Sequence, residues 1–181
     1  RSLITGRSRI IGLVVAYLDN YFYPEALELL SSALQKKGYH VLVFMAAKTA
    51  GNIDDIVDEI LDYQVDGIIA ASVAMSSELA TRCGAAGVPI VLFNRTQDDK
   101  RLSAVTSDNI LGGRKVAEFL IATGHRKISY ISGWEDASTQ RDREKGFEDE
   151  LTRNQLSIFS RESGNFNSNE ARQAARKMFT A

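Results

Sequence analysis

A chain of 181 residues with 44% hydrophobic and 25% charged residues has enough apolar material for one domain or two small lobes, which excludes disorder and fibrous structure. Its 22 basic and 23 acidic side chains are interleaved at a formal charge of −1, so this portion offers no broad footprint for DNA or an anionic membrane. Cys83 has no second cysteine, which excludes an intrachain disulfide and a cysteine-rich metal site and fits a reducing compartment, and no apolar run approaches a membrane span.

Short β-rich runs alternate with amphipathic stretches, the pattern of an α/β fold with parallel sheets and helices on both faces. Ile10 to Val15 is the first expected strand. Pro24 then fits a first helical turn, where its missing N–H costs nothing, and Ala26, Leu27, Leu30, Ala33 and Leu34 recur at helical spacing until Gly38 ends the helix as a left-handed cap. His40 to Phe44 is the second strand. Ile53, Ile56, Val57, Ile60 and Leu61 form the stripe of a second helix, and Gly67 to Ala71 is the third strand. Ser76 or Ser77 can cap a short helix to Ala86, after which Gly87-Val88-Pro89 turns into a fourth strand, Ile90 to Phe93. Such continuously apolar strands are expected to be buried on both faces.

The polar stretch from Thr96 to Ser103 breaks this rhythm and is the expected lobe boundary, giving a junction over 1–9, a first lobe over 10–103 and a partial second lobe over 104–181. Ala104 to Thr106 reads as a short strand, Asp108 as the cap of a helix ending at Gly124, Lys127 to Ile131 as a strand and Gln140 to Thr152 as a helix. Asn167 with Glu170 forms a capping-box pattern for a last helix to Phe179, and with no strand after it the second lobe reads as incomplete.

In open α/β sheets, ligands bind beyond the carboxyl ends of the strands, where loops and helix N-termini present free N–H groups. That rule selects Tyr17 to Tyr23 after the first strand, with Asp19, Asn20, Tyr21 and Phe22 among them, Ser72 after the third, Asn94 and Arg95 after the fourth, Asp108 and Asn109 after the fifth, and the segment from Gly133 to Arg143. Amides, carboxylates and an arginine supply directional hydrogen bonds, while the aromatic side chains, Trp134 among them, supply flat apolar faces. A polyol such as a sugar needs both kinds of contact, and a purine suits the same set. Each also has a plainer use: Asp19, Asn20 and Asp108 as helix caps, and one of Arg141 and Arg143 as a solvated helix residue. No dinucleotide fingerprint, phosphate loop or Gly-x-Ser-x-Gly elbow is present, and His40 and His125 precede strands without metal-ligand spacing. No enzyme, cofactor or metal site is expected.

The chain resembles the lactose/galactose repressor family, whose core is shared with periplasmic sugar-binding proteins. The resemblance covers nearly the whole chain and rests on segments whose order and spacing together are specific: Ile11-Gly12-Leu13-Val14-Val15 with Asp19-Asn20-Tyr21-Phe22; Val65-Asp66-Gly67-Ile68-Ile69; Pro89 through Arg95; Ser107-Asp108-Asn109; Gly124-His125-Arg126-Lys127-Ile128; and Arg143-Glu144-Lys145-Gly146-Phe147.

The resemblance implies two similar α/β lobes of the type I periplasmic-binding-protein kind with an effector in the cleft between them. It carries effector contacts onto Asn20 to Tyr23, Ser72, Asn94 and Arg143. Asn94 departs from the aspartate common in the family, and an amide can donate as well as accept. The implied function is the sugar-binding core of a cytoplasmic, homodimeric repressor whose operator-reading helix-turn-helix domain precedes Arg1, the segment Arg1 to Ser8 resembling the family's hinge junction. The alternative is a periplasmic sugar-binding protein of a transporter, toward which Ser107 to Gly113 leans. A small α/β enzyme is the third class, and it lacks a clustered acid, base or nucleophile.

Overall fold

Ile10–Val15 form β1, whose Leu13, Val14 and Val15 are all buried, so the strand has packing on both of its faces. The computed structural model describes residues 7–16, 18, 21–46, 53–71, 77–97 and 102–180. Asn20, Asp19, Ser72 and Ser76, singled out above, lie outside them, as does most of the junction before Arg7. Five parallel strands make the first sheet in the order β2-β1-β3-β4-β5, with β2 over His40–Met45, β3 over Gly67–Ala71, β4 over Ile90–Phe93 and β5 over Ser103–Val105. Leu13 pairs with Val43 on one side and Ile69 on the other. The carboxylate of Asp66 fixes the entry to β1 by accepting from the backbone N–H groups of Ser8 and Arg9, each at 3.0 Å.

Helices α1 (Phe22–Lys36), α2 (Ile53–Asp62) and α3 (Ser77–Ala85) join the strands. Gly38 at φ 81 lets the chain reverse after α1, so that Tyr39 N–H returns to Leu34 O at 3.0 Å. The core joins Val14, Phe44, Ile60, Ile68, Cys83 and Leu92, and each large side chain removed from water here contributes roughly 1.5–3 kcal/mol. One expectation is corrected. β2 is an edge strand, and its Val43 and Met45 are exposed rather than buried on a second face, because pairing ends there.

The chain divides into two compact units, Arg1–Val105 and Thr106–Ala181. In the second, α4 (Asn109–Ala122) and α5 (Ser138–Arg153) pack on β6 (Ile128–Ser132) and β7 (Ile158–Ser163), which run parallel, around Ala117, Ile128, Phe147 and Leu151. α6 spans Ser168–Thr180. Asn167 caps it by accepting from the N–H groups of Asn169 and Glu170 at 2.9 and 3.1 Å. The reciprocal half of the expected capping box does not form, since the Glu170 carboxylate accepts instead from Asn165 Nδ2 at 2.7 Å. In the β6–β7 pair, Ile128 faces Ile158 while Tyr130 faces Arg161, so β7 carries one extra residue. That bulge turns Arg161 to the face of the sheet that carries Tyr130.

Candidate functional site

α5 opens with three buried polar residues, Ser138, Thr139 and Gln140, which is unusual for side chains that hydrate well. Gln140, 3% exposed, resolves the cost by using both ends of its amide. Its Oε1 accepts from Gly133 N–H at 2.8 Å, and its Nε2 donates to Glu144 Oε2 at 2.9 Å and Tyr130 Oη at 3.3 Å. Glu144 is held in turn by a two-point grip from Arg161, whose third nitrogen reaches Glu135 Oε1 at 3.2 Å. The Arg161 hydrogen bonds keep the Glu144 carboxyl below its ordinary range against the opposing effect of burial, and the same contact raises Arg161. Burial raises the Tyr130 phenol, so it stays a neutral hydroxyl.

One helical turn along, Arg143 donates its Nε–H to Asn109 Oδ1 at 2.8 Å. Asn109 is buried at the start of α4, and its amide nitrogen is spent on Thr106 Oγ1 and Ser107 O at 3.1 and 3.0 Å. Two glycines allow this contact. A Cβ on Gly113 would stand 2.0 Å from Arg143 O, and one on Gly146 2.0 Å from Ile110 O, so α4 and α5 touch backbone to backbone.

Of these groups Tyr130, Gln140 and Arg143 line a cleft of about 430 Å³ at the carboxyl ends of β6 and β7, bounded also by Ser132, Gly133, Phe166 and the start of α6 at Ser168. The Phe166 ring lies over Gly133, where a Cβ would stand 2.1 Å from it, and meets Trp134 edge-on at 5.8 Å between centroids. A polar floor beside aromatic faces, at the end of parallel strands, suits a small hydroxylated molecule. Among the described residues no group of three or more His, Cys, Asp or Glu is placed to hold a metal ion.

Phe22 and Asn94, selected by sequence in the first unit, also make contacts within it. Tyr21 is 96% exposed and precedes α1, where it, rather than Asp19 or Asn20, occupies the cap position without a side-chain cap bond. Phe22 stacks on Phe93 at 6.0 Å, and Asn94, at φ 58, donates its Nδ2–H to Oη of buried Tyr23 at 3.0 Å. Asp108 caps α4 by accepting from Leu111 N–H at 2.9 Å. Arg141 donates to the carbonyls of Glu135 and Asp136, which makes it the loop-bracing arginine of the pair and Arg143 the one facing the cleft. The strand-end rule selected Asn109 after the fifth strand and Gln140 within the segment from Gly133 to Arg143, without a role for either, and passed over Ser132, the last residue of β6.

A family model described as a periplasmic binding protein domain matches residues 11–181. The chain belongs to that family. The sucrose operon repressor of Klebsiella pneumoniae is 28% identical over 181 residues, covering all of this chain and 53% of that protein. Among solved structures, a periplasmic binding protein/LacI transcriptional regulator from Alkaliphilus metalliredigens, complexed with D-xylulofuranose, is 26% identical with a TM-score of 0.79 over 87% of this chain and 57% of that one. The lac repressor dimer bound to operator shares the fold at a TM-score of 0.85 and 22% identity, over 99% of this chain and 63% of that one. The chain spans about half the length of the curated relatives it matches, which are repressors and regulators of the lactose-repressor kind.

The family assignment accounts for the parallel sheets and the placing of polar side chains at their carboxyl ends. No helix among the described residues is long and apolar enough to cross a membrane.

Proposed function

We propose that this periplasmic-binding-protein domain is the effector-binding core of a cytoplasmic transcription repressor, its two units acting as the two lobes of the core, and that its effector is a sugar or sugar derivative. The observation that carries this reading is Arg143, held by buried Asn109 and facing a cleft that also contains Gln140 and Phe166. Asn20, Tyr21, Phe22, Ser72 and Asn94 are the further contacts, assigned by the strand-end rule and by the resemblance together, and Asp19 and Asp108 are those assigned by the strand-end rule alone. The names of the sucrose operon repressor and of the D-xylulofuranose complex support the ligand class.

The repressor acts as a homodimer and reads its operator through a helix-turn-helix domain outside this chain. Two-fold protein symmetry suits palindromic half-sites, and the exposed Leu29, beside Ala26 and Ala33 on α1, offers an apolar face for a second copy. Effector binding shifts the dimer between DNA-competent and DNA-incompetent states through its different affinity for each.

The test is a thermal-shift screen of the full-length protein against sucrose, maltose, cellobiose, D-ribose and sugar phosphates, followed by operator release with any sugar that binds. A ligand at about 100 times its Kd adds roughly 2.7 kcal/mol and so raises Tm measurably. A selective shift lost in Arg143→Ala supports the reading. Absence of a shift across the panel overturns the sugar assignment.

A further inference from the structure

We infer that Ser132 is a specificity-determining hydroxyl of the second unit's cleft, where it exchanges a hydrogen bond with one hydroxyl of the effector. The inference rests on the functional reading above and deepens it to a single ligand group.

Ser132 ends β6 and is 2% exposed, and its Oγ has no hydrogen-bond partner among the described residues. Buried hydroxyls are almost always paired, because one taken out of water without a partner loses its hydration for nothing. The amide of Gln140, beside it in the cleft, is committed elsewhere. Gln140 spends Oε1 on Gly133 and Nε2 on Glu144 and Tyr130, so it cannot turn to Ser132 without orphaning a backbone N–H. Arg143 gives its Nε–H to Asn109. The Ser132 carbonyl is likewise engaged, accepting from Gly164 N–H at 2.8 Å, which fixes the strand end and with it the hydroxyl.

The result is a buried, unsatisfied hydroxyl on the wall of a cleft where Gln140 is fully engaged and Arg143 is held through its Nε. A serine hydroxyl rotates freely and both donates and accepts, which matches a sugar hydroxyl better than it matches a carbonyl or an ammonium. A site built to pair a ligand hydroxyl rejects the analogue that lacks it, because the protein group is then buried and unpaired.

The experiment compares wild-type and Ser132→Ala full-length protein in two measurements: Tm without ligand, and calorimetric affinity for whichever of sucrose, maltose, cellobiose and D-ribose binds wild type, together with its mono-deoxy forms. The expected result is an unliganded Tm that is unchanged or raised, since removing an orphan hydroxyl costs nothing, and affinity for the parent sugar lowered about tenfold. One deoxy form should bind both proteins equally, closing a double-mutant cycle on the Ser132 contact. A fall of several degrees in the unliganded Tm overturns the inference, because it means that the hydroxyl has a protein partner in the full chain. Unchanged affinity for a sugar that does bind overturns it while leaving the functional reading intact. Failure of wild type to bind any of these sugars or the sugar phosphates of the screen is the distinct outcome in which the sugar assignment falls and this inference with it.

Discussion

Arg143 on α5 donates its Nε–H to Oδ1 of Asn109, the first residue of α4, across 34 residues of sequence and a distance of 2.8 Å. The guanidinium is thereby set in one orientation before any ligand arrives, and pre-set groups lose less entropy on binding. Replacing Asn109 by alanine removes the acceptor of a charge-assisted bond and leaves Thr106 and Ser107 without their amide. The expected cost is about 2 kcal/mol in urea unfolding, with effector affinity falling by more than about tenfold. Asn109→Asp keeps an acceptor for Arg143, so it should lose stability but retain most affinity. Equal affinity losses in the two variants would separate Asn109 from the positioning of Arg143.

The close approach of α4 and α5 makes a second prediction. Gly146→Ala places a methyl 2.0 Å from a backbone oxygen of the facing helix, a distance that only movement of the whole helix relieves. Overpacking of this kind costs about 3 kcal/mol, and Gly113→Ala should do the same from the other side. Denaturant unfolding of the variants reads the loss directly. A cost below about 1 kcal/mol in both would mean that the helices separate without penalty.

The framework of the first unit was legible because its strands are apolar runs bounded by turn residues: Ile10–Val15, Gly67–Ala71 and Ile90–Phe93 all form as expected. β7 was not singled out. Ile158–Ser163 mixes two charges with two serines, and although half-buried and exposed positions alternate along it, apolar and polar residue types do not alternate with them. Edge position likewise escaped detection at β2, whose composition matches that of a central strand. The site was legible where local chemistry decides it, as at Asp108, whose cap lies three residues from its donor. It was illegible where partners are far apart in the chain. The stretch Ser138 to Arg143 was selected only by its place after β6, and the fold alone shows that Gln140 is buried with both ends of its amide in use.

Acidification should loosen the second unit through Glu144. Arg161 holds that carboxyl below its ordinary range, so the pair contributes stability that is fully present above the unfolded-state value and is lost as pH falls through the folded-state value. Stability measured by urea unfolding from pH 7 downward should therefore begin to fall within the ordinary carboxylate range and continue falling below it. Glu144→Gln removes about 1 kcal/mol at neutral pH and flattens this part of the curve, with the partly exposed Arg161 keeping the effect modest. A pH dependence identical to wild type would show that other carboxylates carry it.

The dimer proposed above is open to a charge test at Leu29. The residue is 64% exposed on α1 and borders an apolar cleft of about 440 Å³ with Phe22, Ala26, Leu30, Ala33 and Phe93, a surface that gains from being covered. Aspartate at an exposed helical position should change the stability of the isolated fold by no more than about 0.5 kcal/mol. The same carboxylate buried without a partner in an interface costs several kcal/mol, enough to weaken self-association by about 100-fold or more. Wild-type full-length protein is therefore expected to sediment as a dimer at micromolar concentration, and Leu29→Asp as a well-folded monomer that no longer retains operator DNA. A Leu29→Asp variant that remains dimeric would move the interface off α1, and a monomeric wild type would remove the homodimer from the proposal altogether.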